Sequence, residues 1–341
     1  MSGMKRLSGW ILVLLLLLLC GPASGEMLPQ TEKADPVLVT TPDGAWPELN
    51  EAGYLDVGEF VYENDKDGVW RYCSDTLKVE IYRRTQKKPV KRVWYEAEVW
   101  SCDGGFDLVQ AEKGKYVSAV AIQPVIASRN GCVLAINSDE VNYRWSAKDA
   151  TVGLVVRKGE ILWSKTKKAG YKAYPPLHNL VLYRDGDMEV YSTAEKTAQE
   201  LVEMGAWHVL SFGPILIRDG IVNEEGTDLY KNNGAVARSA IGMVEKGHYF
   251  VLMHEGRTDD SRGCTVRWLA DKLKELGCTL GFNLDGGRTS SIEFMGKQIC
   301  EVGEAPVKKI YARKASELLY IGTSRLVEGY DPELASVEMD H

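Results

Sequence analysis

The chain has 341 residues, 45% of them hydrophobic and 26% charged, with 33 glycines, 12 prolines and a net charge of −7. That length suits one large domain or two smaller ones. The composition excludes a collagen, a coiled coil and a polytopic membrane protein, and the acidic balance argues against a nucleic-acid partner.

At the start of the chain, Lys5 and Arg6 precede an apolar run over 10–20, followed by Gly21-Pro22-Ala23-Ser24-Gly25. Basic, apolar and small residues in that order predict a secretory signal over 1–25, cleaved after Gly25. The expectation is a secreted or cell-envelope protein with no transmembrane span in the mature chain, because the apolar run is short of the roughly 20 residues a span needs. Loss of Cys20 with the signal leaves Cys73, Cys102, Cys132, Cys264, Cys278 and Cys300. An exported protein can hold these as buried thiols or join some of them as one or two bridges, and no zinc-ligand spacing is present. Residues 26–53, rich in Pro, Asp, Glu, Thr and Gly, read as a linker.

From Tyr54 the pattern is strand-like. Residues 77–82 and 94–100 alternate polar and apolar, and 133–136 form a short apolar strand. Hairpin turns are expected at 157–160, 184–187 and 219–220. A first helix is marked by Ser192 and Glu195 at capping-box spacing, by apolar Ala194, Ala198, Leu201 and Val202, and by a stop at Gly205. A second carries Val266, Leu269, Ala270, Leu273 and Leu276 on one face and stops at Gly277, between strands at 249–253 and 280–284. Residues 326–341 read as a loose acidic tail. The predicted fold is a single α+β domain over 54–325, mostly β-strands in a mixed twisted sheet with a few packed helices.

Polar groups collect at the strand ends. Glu255-Gly256-Arg257 leaves one strand, and Ser261-Arg262-Gly263-Cys264-Thr265 enters the second helix. A helix start offers free N–H groups and a positive dipole end, Ser261 and Thr265 add hydroxyls, and Arg257 adds a guanidinium fork, a set suited to phosphate. The alternative is a surface loop with an ordinary helix cap. Asp285-Gly286-Gly287-Arg288 follows another strand, where an Asp serves as general base, metal ligand or turn former. Asn137-Ser138-Asp139 follows a third strand, and Arg238 opens a fourth. The nucleophile elbow, Walker, dinucleotide-binding and His-Glu-x-x-His motifs are absent, and five histidines are too few for a histidine-rich metal site. His178, His208 and His248 read as structural or exposed.

The ordered set Ala-Ile-Asn-x-Asp (135–139), Ser-Phe-Gly-Pro-Ile-Leu-Ile-Arg-Asp-Gly (211–220), Ala-Arg-Ser-Ala-Ile-Gly (237–242), Glu-Gly-Arg (255–257), Ser-x-Gly-x-Thr (261–265) and Asn-Leu-Asp-Gly-Gly (283–287) resembles the phosphodiester glycosidase family. Each motif is weak alone; their order over roughly 115–325 is specific. The resemblance implies a hydrolase that frees a sugar from a sugar-1-phosphodiester, with a phosphorylated glycan or glycolipid as substrate. By position it implies Glu255 and Asp285 as a catalytic carboxylate pair and Asp139 as a residue orienting the sugar or a metal. It further implies substrate contacts by Asn137, Arg238, Arg257, Ser261, Gly263, Thr265, Gly286, Gly287 and Arg288. No cofactor is required by these residues, and a divalent metal is compatible with them. Ser138, Glu140-Val141 and Arg288-Thr289 depart from the family pattern, which keeps open an altered member that binds phosphoglycans without cleaving them, or a purely structural envelope protein.

Overall fold

A computed structural model describes residues 36–116, 119–139, 153–164, 177–192, 195–228, 234–303 and 311–336. The expected signal over 1–25 and its expected cleavage point, Glu140-Val141 and Ala194 lie outside the described residues. In chain order the strands are β1 (Leu38–Val39), β2 (Glu59–Asn64), β3 (Val69–Cys73), β4 (Leu77–Gln86), β5 (Arg92–Ser101), β6 (Asp107–Gln110), β7 (Cys132–Asn137), β8 (Val155–Arg157), β9 (Glu160–Trp163), β10 (His178–Leu182), β11 (Met188–Ser192), β12 (His208–Phe212), β13 (Ile215–Arg218), β14 (Ile221–Val222), β15 (Arg238–Glu245), β16 (His248–His254), β17 (Leu280–Asn283), β18 (Ile292–Phe294), β19 (Lys297–Gln298) and β20 (Glu317–Thr323). The helices are α1 (Gln123–Arg129), α2 (Ala198–Glu203), α3 (Glu224–Asp228) and α4 (Val266–Glu275).

Three sheets result. The largest runs β1-β2-β3-β4-β5-β16-β15-β17-β13-β14, and two five-stranded sheets run β11-β10-β12-β8-β9 and β19-β18-β7-β20-β6. The pair β1–β2 is parallel and makes the large sheet mixed, whereas the other described ladders are antiparallel. This is the mostly-β, α+β architecture that the alternating pattern predicts. On β5, Val93, Tyr95, Ala97 and Val99 are buried and the residues between them only partly so, which is the period-2 signature of a half-covered sheet. The main core fills the space between the large sheet and the two smaller ones, joining Ile81, Tyr95 and Phe282 to Ile136, Leu210 and Leu319. The opposite face of the large sheet is covered by α4, which buries Val266, Leu269, Ala270 and Leu273 as its spacing requires.

Three expectations are corrected. Residues 36–53 are not a spacer: β1 pairs with β2, and Val39, Trp46 and Leu49 pack beside Phe60. The tail is not loose over 326–336: Val327 and Ala335 are buried, Asp331 N–H donates to the Arg129 carbonyl at the end of α1, and Ser336 donates to Asn130. An unpaired helix C-terminus offers carbonyl acceptors, and the tail supplies donors. The first predicted helix starts later than Ser192, which closes β11; Thr197 is the N-cap, in a capping box with Glu200. The turn after α2 comes at Gly205 as expected, with a φ of 96°. Of the two readings of the cysteines, thiols are what the described residues show: Cys73, Cys132, Cys264, Cys278 and Cys300 are buried and free, and Cys102 is exposed and free.

What positions the strand ends is a set of glycines around residues 236–237, the lead-in to β15. A Cβ on Gly256 would lie 2.2 Å from the Ala237 nitrogen, and one on Gly263 would lie 2.5 Å from the Val236 carbonyl. Gly286 approaches the Ala237 carbonyl at 3.1 Å by the same measure, and Gly287 N–H donates to that carbonyl at 2.7 Å. Close approach is what the glycine motifs predict, but the partner is the protein's own backbone. Gly256→Ala is expected to cost about 3 kcal/mol, because backbone cannot yield to a methyl at that distance. Gly287→Ala, with a φ of 66° and open space around it, is expected to cost only about 1 kcal/mol. Urea unfolding of both variants measures the contrast, and equal losses would refute it.

Candidate functional site

Antiparallel pairing sets which side chains share a face. Arg238 and His254 are partners across β15 and β16, so both project to the α4 side. Arg238 donates from Nε to the Cys264 carbonyl at 2.9 Å and from Nη2 to the Gly234 carbonyl at 2.9 Å. His254 lies among Trp94 and Trp268; burial holds its pKa down to about 4, and its Nδ1 sits 2.6 Å from the Glu255 carbonyl oxygen. Glu255, the next residue, projects to the other face. Its backbone extends the β5–β16 ladder by donating to the Val93 carbonyl at 3.0 Å.

The Glu255 side chain is 3% exposed. Its Oε1 accepts from the Tyr95 hydroxyl at 3.1 Å and from Glu301 N–H at 2.9 Å. Burial outweighs these hydrogen bonds and pushes its pKa up to about 7. The carboxyl forms part of the wall of a cleft of about 590 Å³ at the open end between the large sheet and residues 298–301. The β4–β5 hairpin supplies Arg83, Lys87 and Lys91 to the same cleft.

The other expected carboxylates sit in a different network. Asn137, fully buried at the end of β7, donates to the Asp285 carbonyl at 2.8 Å and accepts from the Ser239 hydroxyl at 2.6 Å and from Ser291 N–H at 3.2 Å. One amide thereby ties a small sheet to β15 and to the turn after β17. Asp285 N–H donates to the Ser138 carbonyl at 3.2 Å, and its carboxylate accepts from Gly286 N–H at 2.8 Å. Asp139 accepts from Ser211 N–H at 3.1 Å and lies 3.7 Å from the Arg157 guanidinium. Arg157 in turn grips Glu317 with two contacts, at 3.0 and 2.5 Å, and all three side chains are buried. A carboxylate beside a buried guanidinium is a poor cation ligand, which turns Asp139 away from the metal role. Among the described residues no three His, Cys, Asp or Glu side chains group closely enough to hold a metal ion.

Several residues expected to meet substrate are committed elsewhere. The Ser261 hydroxyl accepts from Val93 N–H at 3.0 Å and donates to the Glu255 carbonyl at 2.8 Å, pinning the loop to β5. Thr265 caps α4 by accepting from Trp268 N–H at 3.2 Å, the ordinary helix cap. Gly263, with a φ of 102°, packs on Val236. Asn137 is a structural crosslink, and Arg238, on the face opposite the Glu255 carboxyl, spends two donors on backbone carbonyls. Arg257 is exposed with a left-handed φ of 59°, and among the described residues no hydrogen bond or ion pair holds its guanidinium. Arg288 is half-buried in a short 3₁₀ turn, and its carbonyl accepts from Arg313 N–H at 2.7 Å. His208 pairs with Asp107, His248 lies 2.8 Å from Glu98, and His178 accepts from Ile215 N–H, so all three are structural.

Residues 130–320 match the NAGPA phosphodiester glycosidase family model. The chain belongs to the phosphodiester glycosidase family. Its motifs fall on the strand ends described above. A curated relative is the SPbeta prophage-derived uncharacterized protein YomE of Bacillus subtilis (strain 168), 28% identical over 180 residues. That match spans 52% of this chain and 27% of YomE, so the chain covers about a quarter of that relative's length. The catalytic domain of zebrafish N-acetylglucosamine-1-phosphodiester alpha-N-acetylglucosaminidase, auto-inhibited by its pro-peptide, shares the fold: TM-score 0.55 and 18% identity, over 73% of this chain and 84% of that one. A hypothetical protein from Synechocystis aligns at TM-score 0.47 and 13% identity over 72% of this chain and 62% of that one.

Arg157, Glu317, Tyr95 and the hairpin cations Arg83 and Lys87 escaped the motif reading. The pair Arg157–Glu317 joins two sheets from positions 160 residues apart, and Arg157 stood in the sequence as an ordinary turn-flanking cation. A second acid that burial pushes up, Glu293 on β18, is fully enclosed, hydrogen-bonded by the Ser291 hydroxyl, and raised to about 8. Its folded pKa is raised above the ordinary 4.5, so its contribution to stability is complete below about 4.5 and is lost as pH rises through about 8. Glu293→Gln is expected to match the parent in thermal unfolding at pH 4 and to exceed it at pH 8. A constant difference across that range would refute this titration.

Proposed function

We propose that the protein hydrolyses a sugar-1-phosphodiester in an exported or cell-envelope glycan, releasing free sugar and a phosphomonoester. The observation that carries the reading is a buried carboxyl, Glu255, raised to about 7 and set in the wall of a cleft that also holds cations. A carboxyl that keeps its proton near neutrality can donate it. In the proposed step, water adds to the anomeric carbon as the bond from that carbon to the bridging oxygen breaks. Glu255 gives its proton to that oxygen, and the phosphomonoester departs into the cleft beside Arg83. Glycoside cleavage commonly employs a second carboxylate, and Asp285 is assigned the base that takes the proton the attacking water loses, held by Asn137 through its carbonyl and by Gly286 N–H at its side chain. Arg257, on the turn leaving β16, is the second guanidinium available to phosphate.

The experiment is turnover of a panel of sugar-1-phosphodiesters by the protein, scored as free sugar, with and without EDTA. Glu255→Gln is expected to lower kcat by about 10²- to 10⁴-fold, the usual worth of a general acid. In the parent, activity is expected to fall as pH rises through about 7, when Glu255 loses its proton. Saturable binding of the diesters with no turnover would instead favour the non-cleaving reading. The exported setting rests on the basic, apolar and small order of residues 1–25. N-terminal sequencing of exported protein is expected to start at Glu26, and a retained Met1 would remove the cleaved signal.

A further inference from the structure

The family match begins at residue 130, yet one wall of the Glu255 cleft comes from residues well before it. The β4–β5 hairpin spans residues 77–101 and is the longest ladder among the described residues, ten residue pairs from Leu77↔Ser101 to Gln86↔Arg92. Its tip is fixed against the site. Val93 donates to the Ser261 hydroxyl and accepts from Glu255 N–H, so the hairpin is clasped from both sides of the Glu-Gly-Arg turn.

The clasp brings cations into the cleft that the carboxyl lines. Arg83 stands opposite Tyr95, the residue whose hydroxyl donates to Glu255, and is close enough to lower the Glu255 pKa electrostatically. Two residues further along the same face of β4 comes Thr85, and then Lys87, both at the cleft. Arg83 uses Nη2 on the Lys66 carbonyl at 3.1 Å. Lys91 lies 3.5 Å from Asp260 in an exposed pair worth little. Lys87 has no hydrogen bond or ion pair among the described residues. The lining also carries Arg92 and the acids Glu255, Asp260 and Glu301; Asp260 answers Lys91 and Arg92 lies over the Trp268 ring, so Arg83 and Lys87 are the hairpin cations left to meet an anion. In a protein of net charge −7, such a pair is a local feature and owes nothing to overall charge.

We propose that Arg83 and Lys87, carried by the β4–β5 hairpin, form a subsite that selects diesters whose leaving group carries a second anionic group such as a further phosphate. This rests on the placement of Glu255 as the proton donor, because the leaving group then exits toward the hairpin. The bridging phosphate sits nearest Glu255 and Arg83, and the second anion reaches Lys87 at the rim. The hairpin thereby decides which phosphomonoester the enzyme releases.

The test compares two substrates with the same sugar 1-phosphate, one esterified with methanol and one with a phosphoglycerol. The parent is expected to prefer the phosphoglycerol ester by about tenfold or more in kcat/KM, the worth of one charge-assisted contact. Lys87→Gln is expected to bring that ratio toward one and Arg83→Gln to lower kcat/KM for both esters, while Lys88→Gln, on the turn but off the cleft, keeps the ratio. A second arm reads binding without turnover, as calorimetric titration of the full chain with inorganic pyrophosphate and with inorganic phosphate. Pyrophosphate is expected to bind more tightly than phosphate, and Lys87→Gln to remove the difference. Hydrolysis with equal kcat/KM for both esters and no pyrophosphate preference overturns the subsite and leaves the hydrolase. Lys87-dependent pyrophosphate binding with no hydrolysis of any diester keeps the subsite and overturns the hydrolase.

Discussion

The arrangement of strand ends depends on one close packing of backbone on backbone. Residues 236–237 run between three turns, at Gly256, Gly263 and Gly286-Gly287, each near enough that a side chain would collide or strain. Because β15 pairs with both β16 and β17, fixing its first residues fixes where the chain leaves those two strands. Glu255 and Asp285 are the residues at those exits. The helix start at Thr265 is drawn in as well, since Cys264 and Val236 exchange backbone hydrogen bonds at 3.0 and 3.3 Å. The glycines of the family motifs therefore act first on the fold and only through it on the chemistry.

A second constraint holds the other sheets to this centre. Asn137 makes its side-chain hydrogen bonds in the buried interior, reaching β15 through Ser239 and the turn after β17 through Asp285. Deeper still, Arg157, Glu317 and Asp139 form a charged cluster that water does not reach. Such a cluster is costly unless each member is answered by the others, and here the guanidinium fork meets Glu317 while Asp139 also takes Ser211 N–H. The consequence is a rigid floor beneath the strand ends, with little freedom for Asp139 to turn toward a ligand.

The two faces of one strand pair carry different work. Across β15 and β16 the α4 side holds Arg238, His254 and Trp268 in a packed, aromatic setting, and the inner side holds Glu255 with Tyr95. Strand alternation alone separates neighbours His254 and Glu255 in this way. It also explains why burial acts oppositely on them: the imidazole is held neutral with its pKa lowered, and the carboxyl is held neutral with its pKa raised.

Much of this was legible in the residues. The alternation of β4 and β5, the apolar face of α4, its Thr265 cap and Gly277 stop, and the hairpin turns are local patterns, and local patterns follow from side-chain period and backbone preference. The ordered motifs placed Asn137, Asp139, Arg238, Glu255 and Asp285 at strand ends, and the family followed from them. Faces and partners were not legible, because they are set by register between segments far apart in the chain. Only the tertiary structure put Arg238 opposite the Glu255 carboxyl, spent Ser261 on Val93 and Glu255, and closed Asp139 into a pair with Arg157. Only it carried a hairpin from residues 77–101, outside the family match, to the rim of the Glu255 cleft. The sequence by itself determined which elements form and which residues end them; pairing and burial decided which of those residues meet one another and which face the cleft.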